Sequence, residues 1–276
     1  MSRTRSIETP SGGREAAWLG AAAGLLALSV LADSGVEHDR GGWRNPAMVA
    51  PLLVSTATLV ASVSGLGGQS PDRRRTWVYA TATAAGAVGM GFHLFNLFKR
   101  PGGLRWLNLF YAAPIGAPAA LSLAGLLGLL AETVRRGRTR IVGFTTARVA
   151  SALAAFGLAG TVAEASLLHF RGAFQNPFMW APIAVPPVGA ALMAKAAVDG
   201  ETSRPVTRIW LAATALLGVA GAGFHAFGVH RAMGGWRNWR QNMIDGPPIP
   251  APPAFTALSI AALAALSLRD SEAAVA

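Results

Sequence analysis

Eight stretches of this chain are apolar over about the length a helix needs to cross a bilayer, roughly 20 residues, which limits the fold before any motif is read. They lie at residues 16–32, 46–66, 77–98, 107–130, 141–168, 177–197, 209–229 and 252–268. Apolar residues fill each stretch and form no one-sided stripe; charged residues are 13 % of the chain and hydrophobic residues 52 %. Backbone groups in lipid have no water to bond, so blocks this rich in Ala, Leu and Gly read as helices. The sequence predicts an all-α integral membrane protein with eight transmembrane helices. A tail at 1–15 precedes a four-helix unit at 16–140, a second unit fills 141–268, and a tail at 269–276 follows.

The two units repeat one another at an offset of about 131 residues. ADSGVEHDRGGWRNPAMVAP at 32–51 returns as AEASLLHFRGAFQNPFMWAP at 163–182, with nine of the twenty positions identical and no gap. His38 meets His169, Arg40 meets Arg171, Asn45 meets Asn176, Met48 meets Met179, and Asp33 is answered by Glu164. GFHLFNLFKRPGG at 91–103 pairs with GFHAFGVHRAMGG at 223–235, so His93 meets His225. After a two-residue insertion Asn108 lies opposite Asn242, Pro114 opposite Pro248 and Pro118 opposite Pro252. Self-similarity on this scale marks duplication. Each unit holds an even number of spans, so the two are expected in tandem and parallel, about an axis along the membrane normal.

The net charge of +11 raises nucleic acid as a partner, but the Arg residues are divided among short loops and form no single basic face. The bilayer is the partner this pattern fits. The densest clusters, Arg73 to Arg75 and Arg135 to Arg140, fall on the side of the even loops and both tails, which places both termini in the cytoplasm of a bacterial inner membrane. The first apolar block has no small-residue cleavage site and is read as a span. Trp18, Trp77, Trp106, Trp180 and Trp210 fall near span ends, as interfacial anchors do. With no cysteine, disulfides, thiolate metal sites and c-type haem attachment are excluded.

On this topology His38, His93, His169 and His225 all come to the outer ends of odd-numbered helices. Each precedes a Gly-containing loop with an amide residue, Asn45, Asn108, Asn176 or Asn242, and each loop leads through Pro into the next helix. One reading is architectural: His satisfies carbonyls at a helix end, Gly permits the turn and Pro starts the next helix. The other is chemical: neutral imidazole is the nitrogen ligand available, and His38 with His169, or His93 with His225, would hold haem b or face a quinone. Asp33 and Glu164 either pair with Arg40 and Arg171 or exchange protons beside a quinone or a carried ion. The glycines of GAVGMGF at 86–92 and GVAGAGF at 218–224 read as close helix-packing surfaces. The Pro-rich stretch at 246–253 reads as a stiff re-entry into the eighth helix, and the breaks at 112–118 and 182–187 read chiefly as kinks, the alternative being a lining for a binding site.

There is no Walker loop, no nucleophile elbow and no dinucleotide fingerprint in a strand–helix context. Eight spans with almost no soluble mass and polar loops gathered on one side suggest an anchor or electron-transfer subunit of a respiratory oxidoreductase. Its partner is expected to be a periplasmic or membrane-associated redox subunit. A small-solute or ion transporter, and a structural membrane protein without cofactor, are the alternatives.

Overall fold

The computed structural model describes residues 12–68, 70–199 and 204–275, so most of the N-terminal tail expected at 1–15 lies outside the described residues. The described chain is helical apart from one hairpin. Helix α1 spans Gly13–Arg40, and a 3-10 turn at Pro46–Val49 leads into α2 at Ala50–Leu66. Then come α3 at Arg73–Phe98, a short α4 at Trp106–Tyr111 and α5 at Gly116–Arg135. Strands β1 at Arg140–Ile141 and β2 at Phe144–Thr145 form the hairpin before α6 at Thr146–Arg171. A 3-10 turn at Pro177–Trp180 leads to α7 at Ala181–Ala184 and α8 at Pro186–Asp199, followed by α9 at Pro205–Arg231. A last 3-10 turn at Gly235–Asn238, α10 at Trp239–Asp245 and α11 at Pro253–Val275 complete the chain. Eight of these helical segments are long and apolar enough to cross a membrane, taking α7 and α8 as one broken span.

The boundaries differ from the hydropathy reading where backbone chemistry overrides apolarity. Helix α1 runs eight residues beyond the expected end at residue 32, carrying Asp33, Glu37 and His38 on helical backbone. The fourth span does not start at residue 107. Pro114 has no N–H and biases the residue before it away from helix, so α4 stands apart and the span begins at Gly116. The fifth span starts at Thr146 instead of 141, because Val142 and Gly143 turn the hairpin at positive φ and Thr145 caps the Arg148 N–H at 3.3 Å. The third starts earlier, where Asp72 accepts from the Arg74 N–H at 2.7 Å. The last helix continues to Val275, through the residues read as a tail. The expected kink in span six is present between α7 and α8, where Trp210 Nε1 donates to the Val185 carbonyl at 2.8 Å.

Helices α1, α5, α6 and α11 touch one another in a ring at the centre, with α2, α3, α8 and α9 outside it. Of the apolar window of α11, 72 % is buried, against 17 % for α3 and α9. The centre is built from small residues, Ala16, Ala22, Ala23, Ala27, Ala257, Ala261, Ala264 and Ala265, with Leu19, Leu26, Leu127 and Leu258 between them. Lipid tails are as apolar as leucine, so close van der Waals contact and interhelical hydrogen bonds must hold such helices together.

The glycine expectation holds for two of each three. A Cβ on Gly86 would strike Ser122 and the Pro118 carbonyl, and one on Gly218 would strike Thr256 and come within 2.8 Å of the Pro252 carbonyl oxygen. Gly89 and Gly221 lie against Pro118 and Pro252, whereas Gly91 and Gly223 face open space. At these crossings Ser122 Oγ donates to the Thr83 carbonyl at 3.0 Å, and Thr256 Oγ1 to the Ala215 carbonyl at 2.7 Å. Gly86→Leu or Gly218→Leu is therefore expected to cost at least the ~1–3 kcal/mol of an overpacked core, read as a lower unfolding temperature in detergent, with Gly91→Ala unchanged.

Candidate functional site

The ends of α1, α3, α6 and α9 meet the starts of the spans that follow them on one face, called here the histidine face. Both described ends of the chain lie at the opposite face, where Ser267 Oγ donates to Glu15 at 2.7 Å. The organising feature of the histidine face is proline. In the 3-10 turn from Pro46, the donor three residues beyond the Met48 carbonyl would be the N–H of Pro51, which does not exist; Met179 and Pro182 repeat this. In the other two turns the donor four residues beyond the Pro114 and Pro248 carbonyls would come from Pro118 and Pro252.

A histidine serves each of these four carbonyls. His38 Nδ1 lies 2.7 Å from the Met48 oxygen and His93 Nδ1 2.5 Å from that of Pro114. His169 Nδ1 is 2.7 Å from the Met179 oxygen and His225 Nδ1 2.7 Å from that of Pro248. A carbonyl can only accept, so Nδ1 carries a proton, and a ring that is neutral then has its lone pair on Nε2.

The surrounding loops match as closely. Asn45 Oδ1 accepts from the Ala47 N–H at 2.9 Å and Asn176 Oδ1 from the Phe178 N–H at 3.0 Å, each capping a 3-10 turn. Trp43 and Phe174, both at positive φ, set their rings edge-on to His38 and His169 at 5.8 and 6.3 Å. Asn108 Nδ2 donates to the Pro101 and Gly103 carbonyls at 3.1 and 2.9 Å; Asn242 Nδ2 donates to those of Met233 and Gly235 at 3.2 and 2.9 Å. Both amides are buried, so they hold loops together and are turned away from solvent.

The arginines reach across. Arg171 of α6 donates to the Phe110 carbonyl at 3.2 Å and lies over the Tyr111 ring, while Phe170 stacks on Phe110. Arg40 of α1 donates to the Ile244 carbonyl, the residue aligned with Phe110, and also pairs with Glu37 at 2.8 Å. The expected pairing with Asp33 and Glu164 is thus replaced by loop contacts. Glu164 instead faces the backbone N–H of Gly116 at the start of α5, so closely that a Cβ on Gly116 would strike the carboxylate.

The histidines do not pair as the repeat suggested. The ring of His169 is 6.5 Å from that of His225, the residue of the neighbouring span and not its counterpart in the sequence alignment. Alignment in sequence does not make two residues neighbours, and the turns draw the histidines of α6 and α9 together. Among the described residues no group of three or more His, Asp and Glu gathers as a metal site.

The sequence reading missed a buried ionic cluster near the opposite face. Glu132 receives Arg75 Nε and an Arg135 guanidinium nitrogen, both at 2.8 Å, and the Asp72 N–H at 2.7 Å. Arg135 also donates to the Gly65 and Gly68 carbonyls at 2.9 and 3.1 Å, closing the C-terminal end of α2. The local signal was Glu132 three residues before Arg135; Arg75 lies 57 residues away from Glu132 in sequence and gave none.

The chain matches no protein-family model, and no curated protein or solved structure is significantly similar to it. Two stability tests follow from the geometry. Glu132→Ala leaves two buried guanidinium groups without their anion and is expected to cost about 3–5 kcal/mol, seen in thermal unfolding, whereas Arg74→Ala is neutral. His93→Ala strands the Pro114 carbonyl and is expected to cost about 1–3 kcal/mol in the same measurement; an unchanged midpoint would remove the His–carbonyl bond as a structural element.

Proposed function

We propose that this chain is the membrane subunit of a bacterial inner-membrane redox complex, built as two tandem, parallel four-helix repeats with both termini in the cytoplasm. The observation that carries the reading is the state of the four imidazoles. His38, His93, His169 and His225 all commit Nδ1–H to a carbonyl, so that in the neutral ring Nε2 is the nitrogen that carries the lone pair. That nitrogen is the one that binds haem iron axially, and it is also the acceptor that a quinol hydroxyl requires.

The tandem, parallel arrangement is supported by contacts that repeat at aligned residues: Arg40 to Ile244 with Arg171 to Phe110, Asn108 with Asn242, and Gly86 with Gly218. The orientation is supported by Arg73, Arg74, Arg136, Arg138 and Arg140, which are exposed on loops and helix ends at the face opposite the histidines. With that orientation the histidine face is periplasmic and takes the partner subunit, and His169 with His225, and His38 with His93, would hold haem b or face a quinol. A bound haem would supply a one-electron carrier. The chain's own residues fix the acceptor nitrogens and, through Arg40, Arg171 and the two buried amides, the loops that carry them.

The test is a reduced-minus-oxidised absorbance spectrum with haem and quinone analysis on gently solubilised protein. A b-type signal or a bound quinone, lost in His225→Gln while the helical content persists, is the expected result. Folded protein that holds neither, and that recovers no redox partner, would overturn the electron-transfer reading and leave the histidines as staples of the turns.

A further inference from the structure

Asp33 and Glu164 occupy aligned positions but face different chemistry. Glu164 of α6 lies against Gly116 at the start of α5, a residue with a backbone N–H to offer it. The residue aligned with Gly116 is Pro250, which has no N–H to offer Asp33 of α1. Among the described residues no hydrogen bond or ion pair to the Asp33 carboxylate is present. It instead borders a cavity with room for about one water molecule, closed by Glu37, Arg40, Met243 and the turn at 247–250.

A second difference lies one helical turn outward. Glu37 follows Asp33 on the same face of α1 and lines the same cavity, and its side chain keeps 25 % of its exposure. The residue aligned with Glu37 in the other half is Leu168. A carboxylate beneath a second, partly exposed carboxylate therefore exists in one half only.

We propose that Asp33 is the proton-exchanging group of the histidine face, reaching solvent through the cavity it borders, and that Glu164 is a fixed cap holding α6 to α5. The step is the gain or loss of one proton at an Asp33 carboxylate oxygen, with no other bond changed. The charged groups that bear on it are Glu37 and Arg40 of its own helix and Glu164 of α6; the turn at 247–250 brings none. The use of that proton beside a quinol rests on the electron-transfer reading, whereas the assignment of the two carboxylates does not.

The experiment is isotope-edited infrared spectroscopy of the full-length protein, with labelled Asp in one sample and labelled Glu in another, across about pH 4–9, upward from the ordinary carboxylate value. A protonated-carboxyl band from Asp that changes with pH, absent in Asp33→Asn and retained in Glu164→Gln, is expected. If Asp33→Asn does not fold, Pro250→Gly, which restores an N–H opposite Asp33, should diminish the band. A band that survives Asp33→Asn, a titrating band from Glu164, or no titrating Asp band would overturn the assignment. Protein free of haem and quinone that still shows the Asp33 band would leave this inference standing while removing the redox reading.

Discussion

A proline at the start of a membrane helix leaves a carbonyl without its donor, and in an apolar medium that carbonyl must be served by something other than water. Four turns of this protein present that demand and four histidines meet it. Each bond ties the end of one long helix to the turn before another: α1 to the turn before α2, α3 to that before α5, α6 to that before α7, and α9 to that before α11. The bond fixes the tautomer as well as the turn. Architecture and ligand chemistry, which the sequence offered as rival explanations of the same residues, are therefore compatible: the atom that staples is Nδ1 and the atom that remains is Nε2.

Around these turns the spans are held by contacts that need small residues. Gly86 and Gly218 let α3 and α9 approach α5 and α11 until a serine or threonine hydroxyl reaches the opposing backbone. The ring of α1, α5, α6 and α11 is then filled mainly by alanine. Arg40 and Arg171 cross between the halves to carbonyls of α10 and α4. The Glu132 cluster, by contrast, stands in one half only: Leu266 is aligned with Glu132. The halves thus share the histidine face and differ at the opposite one, and within the shared face they differ at Asp33 and Glu164.

Much of this was legible in the sequence because lipid imposes a length on apolar segments and the two similar stretches of sequence mark positions twice. The eight spans and the alignment of His38 with His169, Asn108 with Asn242 and Gly86 with Gly218 all follow from reading one line of residues against another. Helix ends did not follow, because apolarity reports membrane depth while caps and prolines set where a helix starts; Asp72, Thr145 and Pro114 moved three boundaries. The pairing of His169 with His225 did not follow either, since the repeat gives depth and the turns give neighbours. Asn45, Asn108, Asn176 and Asn242 stand out in the sequence by recurring after the histidines, and their side chains cap turns and close loops.

The central claim is that four imidazoles carry their proton on Nδ1 and leave Nε2 bare. Nitrogen-15 magnetic resonance of histidine-labelled protein in lipid at neutral pH reports the two ring nitrogens separately, and single His→Gln variants assign them. The account requires that His38, His93, His169 and His225 each show a protonated Nδ1 and an Nε2 that is unprotonated or ligand-bound. Protonated Nε2 with a bare Nδ1 at these residues would contradict it, because the carbonyls of Met48, Pro114, Met179 and Pro248 would then have no donor in the ring that faces them.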